Sequence, residues 1–345
     1  MNGGSRPVHG KQLASRRWLV GAGVAVGVVT LTRGLFPAAV SSLLEIRPTS
    51  STLRLSADLE AGASLAEALV RRAQDHVREA KAAEGIAPAL PGSADPSGLI
   101  GAELTPLVTT LGSLEAKQIA TNPYWARVLT VRLAGAGVRR GTVVAAGFSG
   151  SFPALNLAIM AACQALDANL VAVSSVTAST WGANQPGFTW QEVEARLVRA
   201  GLVRRASAAV STGGAHDRAR DLDPEGRALA ERILDAAASD LGAAALRPSS
   251  LEASISERLA LYRREARGRP IVLYVNVGGT DPSLGTSPTV LRMRSGFLPG
   301  VPFDLSPGRG LVARFAESGV PVLTLLNVRD LALRWGVPLA GRTLP

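Results

Sequence analysis

The stretch Val143–Cys163, VVAAGFSGSFPALNLAIMAAC, decides the fold. Its apolar run ends in the small residues Gly147 to Ser151 and passes directly into an apolar segment with helical spacing. A strand, a tight turn and a helix in this order are how α/β proteins place a ligand-binding or reactive group above the carboxyl end of a sheet. Ser149 and Ser151, which lie in the turn, are therefore the first candidate site residues.

Strand and helix patterns alternate along the chain after this stretch. Apolar runs predict strands at 143–148, 170–175, 206–211, 271–277 and 321–326. Helical spacing predicts helices at 124–135, 152–167, 190–200, 224–238, 249–266 and 309–318. The connections are long enough for crossovers, so the alternation predicts an α/β domain at 99–340, a parallel sheet with helices on both faces.

The segment before this domain has the pattern of a membrane-inserted or exported protein. Residues 1–17 are polar and basic, and 18–44 is an apolar segment interrupted by Arg33. This combination predicts a single-pass transmembrane segment or signal anchor, with the folded part outside the cytoplasm. Arg16 and Arg17 also resemble the start of a twin-arginine export signal, so a cleaved signal peptide stays open as the alternative.

Two connecting segments follow the apolar one. Apolar residues at helical spacing within 45–86 predict a helical stalk, although the same spacing suits a helix packed on the main body. The stretch 87–98 is rich in Pro, Gly and Ser and predicts a linker.

Charge and composition narrow the function classes. The chain has 345 residues and a net charge of +10, of which the first 35 residues, with five basic and no acidic side chains, supply half. The remainder has only a modest basic excess, so nucleic-acid binding is not predicted. The single cysteine, Cys163, excludes an intramolecular disulfide, and neither a metal site nor a nucleotide cofactor is predicted, because no ligand spacing or phosphate-binding motif occurs.

Segments with small hydroxyl, amide or glycine residues follow all five predicted strands, and the last of these is represented by Asn327 alone. Because the carboxyl ends of parallel strands meet at one edge of a sheet, we expect these loops to form one site for a polar or anionic ligand. The candidate site residues are Ser149, Ser151, Ser175, Gly213, Gly214, Asp217, Arg218, Asn276, Gly278 and Gly279.

Three interpretations of these loops stay open. Ser149 lies in a near match to the Gly-x-Ser-x-Gly nucleophile turn, which favours a serine hydrolase with His216 as base and Asp217 beside it. No histidine follows His216, however, so the usual order of an α/β-hydrolase triad is not met. The second interpretation is an anion site formed by backbone N–H groups and Arg218, and the third is that the loops are only turns. Lys117 is predicted to be a helix-surface lysine.

Several separate segments resemble one protein family. They are Asp95–Gly101, Thr109–Lys117, Thr121–Pro123, Gly147–Asn156, Ser179–Asn184 and Asn276–Gly279. Together they resemble the poly-gamma-glutamate system proteins over roughly 95–340. One departure is His216, where the family pattern has asparagine before the Asp-Arg pair.

This resemblance implies a membrane-anchored accessory protein of bacterial poly-gamma-glutamate (capsule) synthesis and export. Its expected partners are the anionic polymer, the membrane and the proteins of the synthase and export complex. The resemblance brings no established catalytic residue. A hydrolase or transpeptidase acting on gamma-glutamyl bonds with Ser149 as nucleophile, and a non-catalytic scaffold, stay open as alternatives.

The membrane prediction is tested by fractionation. We expect the full-length protein in the membrane fraction, and a variant that begins at residue 45 in the soluble extract, because 18–44 supplies the apolar segment. A full-length protein found wholly in the soluble extract would contradict a retained anchor and favour a cleaved signal.

Overall fold

The computed structural model describes residues 56–86, 95, 97–287, 293–298 and 308–339. The predicted basic N-terminus, the transmembrane segment 18–44 and most of the linker 87–98 lie outside these residues. Within the described ranges, no helix has both the length and the apolar character needed to cross a membrane.

The described residues form ten α-helices and nine strands. The helices are α1 (Ala57–Ala83), α2 (Leu114–Ala120), α3 (Tyr124–Gly135), α4 (Pro153–Ala165), α5 (Trp190–Arg199), α6 (Pro224–Leu241), α7 (Leu251–Ala266), α8 (Asp281–Leu284), α9 (Leu311–Glu317) and α10 (Val328–Trp335). The strands are β1 (Val108–Thr110), β2 (Val143–Ser149), β3 (Asn169–Ser175), β4 (Ala178–Ser179), β5 (Ala209–Ser211), β6 (Ala244–Leu246), β7 (Ile271–Val277), β8 (Gly296–Phe297) and β9 (Val322–Leu325).

The main sheet has seven strands in the order β6-β5-β3-β2-β7-β9-β8. All neighbours pair in parallel except β8, which pairs antiparallel with β9 at the edge. The prediction of an α/β fold is thus confirmed, but the sheet is mixed rather than wholly parallel. The prediction missed β8, since a strand of two residues has too little pattern to be recognised.

Strand β2 is buried on both of its faces. Val144, Ala146 and Phe148 belong to one apolar cluster, to which α1, α3, α4, α5 and α10 contribute. Val143 and Ala145 alternate with them and belong to a second cluster, to which α7 and α9 contribute. This alternation places helices on both sides of β2 and explains why the strand reads as a continuous apolar run.

The order in which the chain adds strands to the sheet reverses direction at one place. The chain runs from β2 outward through β3, β5 and β6, and then returns to the other edge of β2 as β7. The loops after β2 and β7 therefore leave in opposite directions, which makes their junction the topological switch point where α/β proteins bind ligands. A separate pair of parallel strands, β1 and β4, brings Thr109 and Thr110 next to this junction.

Helix α1 packs on the α/β domain, so of the two arrangements that its spacing allows, the packed helix is observed and the stalk is not. The helix lies against α3 and α4, and its Ala66, Val70 and Val77 belong to the main apolar cluster. At the end of α1, Lys81 Nζ donates hydrogen bonds to the carbonyl of Ile100 at 3.2 Å and to Gln185 at 3.0 Å. A stalk and a packed helix have the same spacing of apolar residues. Only the presence of the apolar surfaces of α3 and α4 determines that α1 is packed.

The packing of α1 predicts unequal effects for two substitutions on that helix. Val70→Ala removes two methyl groups from a side chain that is 2% exposed, and should lower the free energy of unfolding by about 2 kcal/mol. Leu65→Ala changes a side chain that is 68% exposed, and should change it by less than about 0.5 kcal/mol. Urea unfolding measures both, and equal effects would indicate an unpacked stalk.

Candidate functional site

A pocket of about 150 Å³ lies at the carboxyl edge of the sheet, at the switch point. Hydroxyl side chains dominate its lining, together with two carboxylates and three small residues without polar side chains. The lining residues are Thr109, Thr110, Ser149, Ser151, Thr177, Gly214, Ala215, Asp221, Gly279, Thr280 and Asp281. They come from β1 and from the chain segments at the carboxyl ends of β2, β3, β5 and β7, so four of the five predicted loops meet here.

The loop after β2 presents two hydroxyl groups to this pocket. Ser149 Oγ accepts a hydrogen bond from the backbone N–H of Ser151 at 3.1 Å, and Asn156 donates to the Ser149 carbonyl at 2.9 Å. Ser151 Oγ accepts the backbone N–H of Ser179 at 3.0 Å. Both hydroxyls are thus held in place by backbone groups, and Ser151 is the more exposed of the two.

The loop after β5 has an unusual backbone that three carboxylates hold. His216, Asp217 and Ala219 all have positive φ angles of 47–62°, which cost about 1–3 kcal/mol each in residues other than glycine. Asp221 accepts the N–H of Ala215 at 2.8 Å and Asp281 accepts the N–H of His216 at 2.7 Å. Both carboxylates also line the pocket, and among the described residues no hydrogen bond to the second oxygen of either is recorded.

The third carboxylate, Asp217, is buried below the loop rather than in the pocket. It forms an ion pair with Arg258 at 2.7 Å, and both side chains are at most 3% exposed. Ser211 and Ser254 donate to its two oxygens at 2.7 and 2.6 Å. Its oxygens are therefore used within the protein, and Asp217 acts through the shape of the loop, not as the ligand contact that the sequence predicted.

The remaining predicted site residues divide between the pocket and its support. Four of the ten lie in the lining, namely Ser149, Ser151, Gly214 and Gly279. Ser175 bonds to Ser211 at 3.3 Å, Asn276 donates to the Gly278 carbonyl at 2.9 Å, and Arg218 donates to the Ser249 carbonyl at 2.8 Å. These three residues are not among the lining residues, and neither are Gly213, Asp217 and Gly278.

The serine-hydrolase triad is not assembled. His216 is exposed, and its recorded hydrogen bond is made by its backbone N–H, not by its ring. Its neighbour Asp217 is engaged by Arg258, as above. Among the described residues, no imidazole is hydrogen-bonded to Ser149, so Ser149 lacks the adjacent base that a serine nucleophile needs.

Lys117 is buried, and the prediction of a helix-surface lysine is wrong. Its side chain is 3% exposed; its Nζ donates to the Ser151 carbonyl and, at 2.8 Å, to Ser179 Oγ. The amine lies 3.9 Å from the centroid of the Phe152 ring. Burial lowers the pKa of Lys117 from 10.5 to about 7. No local pattern indicates this burial, since α2 is only seven residues long.

Several lining residues were not predicted from the sequence. Thr109 and Thr110 lie in β1, which is too short to predict, while Asp221 lies just beyond the loop after β5. Asp281 had a usable signal, because an Asp-Pro pair after a strand is typical of a helix start. The lining contains no Lys, Arg or His among the described residues, so its charge differs from that of the predicted anion site.

No family model, no curated protein and no solved structure matches this chain. The resemblance to the poly-gamma-glutamate system proteins therefore stays a prediction, and the argument about function depends on the pocket itself.

The buried ion pair predicts a large loss of stability when it is broken. Asp217→Ala leaves the Arg258 charge unpaired and should lower the free energy of unfolding by about 3–5 kcal/mol. Replacing both residues by apolar ones, Asp217→Leu with Arg258→Met, should restore much of that loss. Asp235→Ala, which breaks an exposed pair with Arg247, should cost less than about 1 kcal/mol. Urea unfolding measures all three, and an equal loss for both aspartates would contradict this role.

Proposed function

We propose that this protein binds the amino-terminal end of a gamma-glutamyl chain, as a membrane-anchored, extracytoplasmic accessory of poly-gamma-glutamate synthesis and export. The observation that carries the proposal is the pairing of two carboxylates with a ring of hydroxyls in one pocket at the switch point. The family resemblance indicates which polymer is bound, and the pocket lining indicates which part of that polymer is recognised.

The size of the pocket favours a chain end over a run of polymer. Its volume of about 150 Å³ is below the roughly 300–1,000 Å³ of sites that enclose whole drug-sized ligands. One amino-acid unit is the appropriate occupant for a space of this kind. A long anionic segment would also place many carboxylates beside Asp221 and Asp281, which like-charge repulsion disfavours.

The chemistry of a gamma-glutamyl end matches the lining. Its first unit has a free α-ammonium and a free α-carboxylate, while the γ-carbonyl continues the chain. Asp221 and Asp281 supply the negative charge for the ammonium. The hydroxyls of Thr110 and Thr177 supply donors for the carboxylate. The rest of the polymer then extends away from the two aspartates.

The proposal is tested on the ligand before the protein is changed. A gamma-linked glutamate trimer should bind in isothermal titration calorimetry, and acetylation of its amino end should weaken binding at least about tenfold, which is about 1.4 kcal/mol. Amidation of the carboxylate at the opposite end is the control and should change binding little. Equal binding of the acetylated and free trimers would contradict recognition of the ammonium.

A matched pair of protein variants provides the second arm. Asp281→Asn keeps an oxygen for the His216 N–H but removes the charge, and should weaken binding of the free trimer about tenfold. Asp240→Asn removes a charge from a pair with Arg199 whose side chains are both more than half exposed, and should leave binding unchanged. Weakening of the same size in both variants would indicate a general charge effect.

A further inference from the structure

Ser151 lies between the pocket and a buried amine. Its hydroxyl lines the pocket and accepts the backbone N–H of Ser179 at 3.0 Å. Behind it, Lys117 Nζ contacts the Ser151 carbonyl and lies 2.8 Å from Ser179 Oγ. Three residues from α2, the turn after β2, and β4 are thus linked in one chain of contacts that begins at a lysine and ends at an accessible hydroxyl.

We propose that Lys117, Ser179 and Ser151 form a proton relay that makes Ser151 the nucleophile in hydrolysis of the terminal gamma-glutamyl amide bond. This inference rests on the proposed function for its substrate, and adds a reaction to what is there a binding site. It also replaces Ser149 by Ser151 as the reacting serine. Pairs of serine and lysine are an established alternative to serine and histidine for activating a hydroxyl.

The contacts suit a neutral lysine as the base. A neutral amine has two N–H groups and a lone pair. Lys117 can therefore keep donating to the Ser151 carbonyl while its hydrogen bond to Ser179 reverses and the lone pair accepts the Ser179 hydroxyl proton. Burial lowers the pKa of Lys117 to about 7, close to the value at which a general base is most effective near neutral pH. The neutral form is therefore well populated where the reaction is expected to run.

Among the described residues, no acid opposes the lowering of the pKa of this amine. Glu115, also on α2, pairs with Arg329 of α10 at 3.1 Å, and both are exposed. On α1, Lys81 bonds to the Ile100 carbonyl and Gln185, as described above. Phe152, which immediately precedes α4, packs its ring against the amine. Among the described residues, burial is the dominant influence on this group.

Gly112 is required for the position of Ser179. A Cβ at residue 112 would lie 2.8 Å from Ser179 Oγ and 3.0 Å from the Thr180 carbonyl oxygen. The backbone of the segment before α2 thus confines Ser179 Oγ from one side, while Lys117 contacts it from another. Between Ser179 and Ser151 the recorded hydrogen bond uses the backbone N–H, and bonds between catalytic hydroxyls commonly close only when substrate is bound.

Water is the only reactant that the reaction needs besides the polymer. Ser151 Oγ attacks the γ-carbonyl carbon, and its proton passes through the Ser179 hydroxyl to Lys117. The amide C–N bond breaks, the leaving amine takes the proton back from Lys117 along the same path, and the γ-glutamyl group is left as an ester on Ser151. Water then attacks the ester, gives its proton to Lys117, and the Ser151 oxygen is reprotonated as free glutamate leaves. The protein would shorten the polymer one unit at a time from its amino end.

The test uses gamma-glutamyl-p-nitroanilide as substrate and a fluorophosphonate as a serine probe. We expect release of p-nitroaniline and a probe adduct that mass spectrometry assigns to Ser151, both lost in Ser151→Ala. Lys117→Arg keeps the positive charge but removes the base, and should slow hydrolysis at least about 100-fold. The wild-type rate should rise with pH through about 7, and this inflection should be absent in Lys117→Arg.

The control for Lys117 is a second buried lysine outside the pocket. Burial lowers the pKa of Lys81 to about 8, and Lys81→Met should leave the hydrolysis rate unchanged. Thermal unfolding of each variant separates loss of activity from loss of fold. An adduct on Ser149, or a Lys117→Arg rate equal to that of the wild type, would overturn the relay.

Binding separates this inference from the proposed function. Ser151→Ala should still bind the gamma-linked glutamate trimer in calorimetry, since the two aspartates remain. A wild-type protein that binds the trimer but neither hydrolyses the anilide nor reacts with the probe overturns the relay and leaves the binding proposal intact. Hydrolysis that is indifferent to acetylation of the amino end would instead overturn recognition of the ammonium.

Discussion

The structure depends on the central position of β2, which is buried on both faces and paired on both edges. Its two sets of alternate side chains belong to different apolar clusters, and its neighbours β3 and β7 lead the chain in opposite directions. A strand in that position cannot shift register without moving both clusters. The turn at Ser149 is therefore fixed in space, and the pocket forms where the loops after β2 and β7 separate.

Close backbone approach is the second constraint at the pocket, and glycines make it feasible. Gly278 has a φ of 84°, and a Cβ there would lie 2.8 Å from the Cβ of Ser149. A Cβ on Gly214 would lie 2.4 Å from the Asp221 carboxylate. These glycines matter because they have no side chain. Their absence of a Cβ lets the hydroxyls and carboxylates of neighbouring loops lie together in one small volume.

Buried ionisable side chains hold two of the loops that line the pocket. Asp217 and Arg258 fix the loop after β5 from inside the protein. This pair stabilises a backbone that is strained at three left-handed positions, His216, Asp217 and Ala219. Lys117 does the same for the turn after β2 through the Ser151 carbonyl and Ser179. In both cases a buried ionisable side chain makes hydrogen bonds to a loop, so the geometry of the lining depends on groups that are not part of it.

The sequence by itself determined the local elements. Strands β2 and β7, helices α3 and α5, and the convergence of loops at one edge follow from apolar periodicity, glycine and helix-start residues, which act over a few positions. Only the tertiary structure decided what is buried and what meets across the chain. Lys117 contacts residues 34 and 62 positions away, Asp217 pairs with Arg258 from another helix, and α1 finds its apolar partners in α3 and α4. The reason is physical: burial, pKa and ion pairing depend on the atoms that surround a side chain, and these come from segments whose proximity no local pattern encodes.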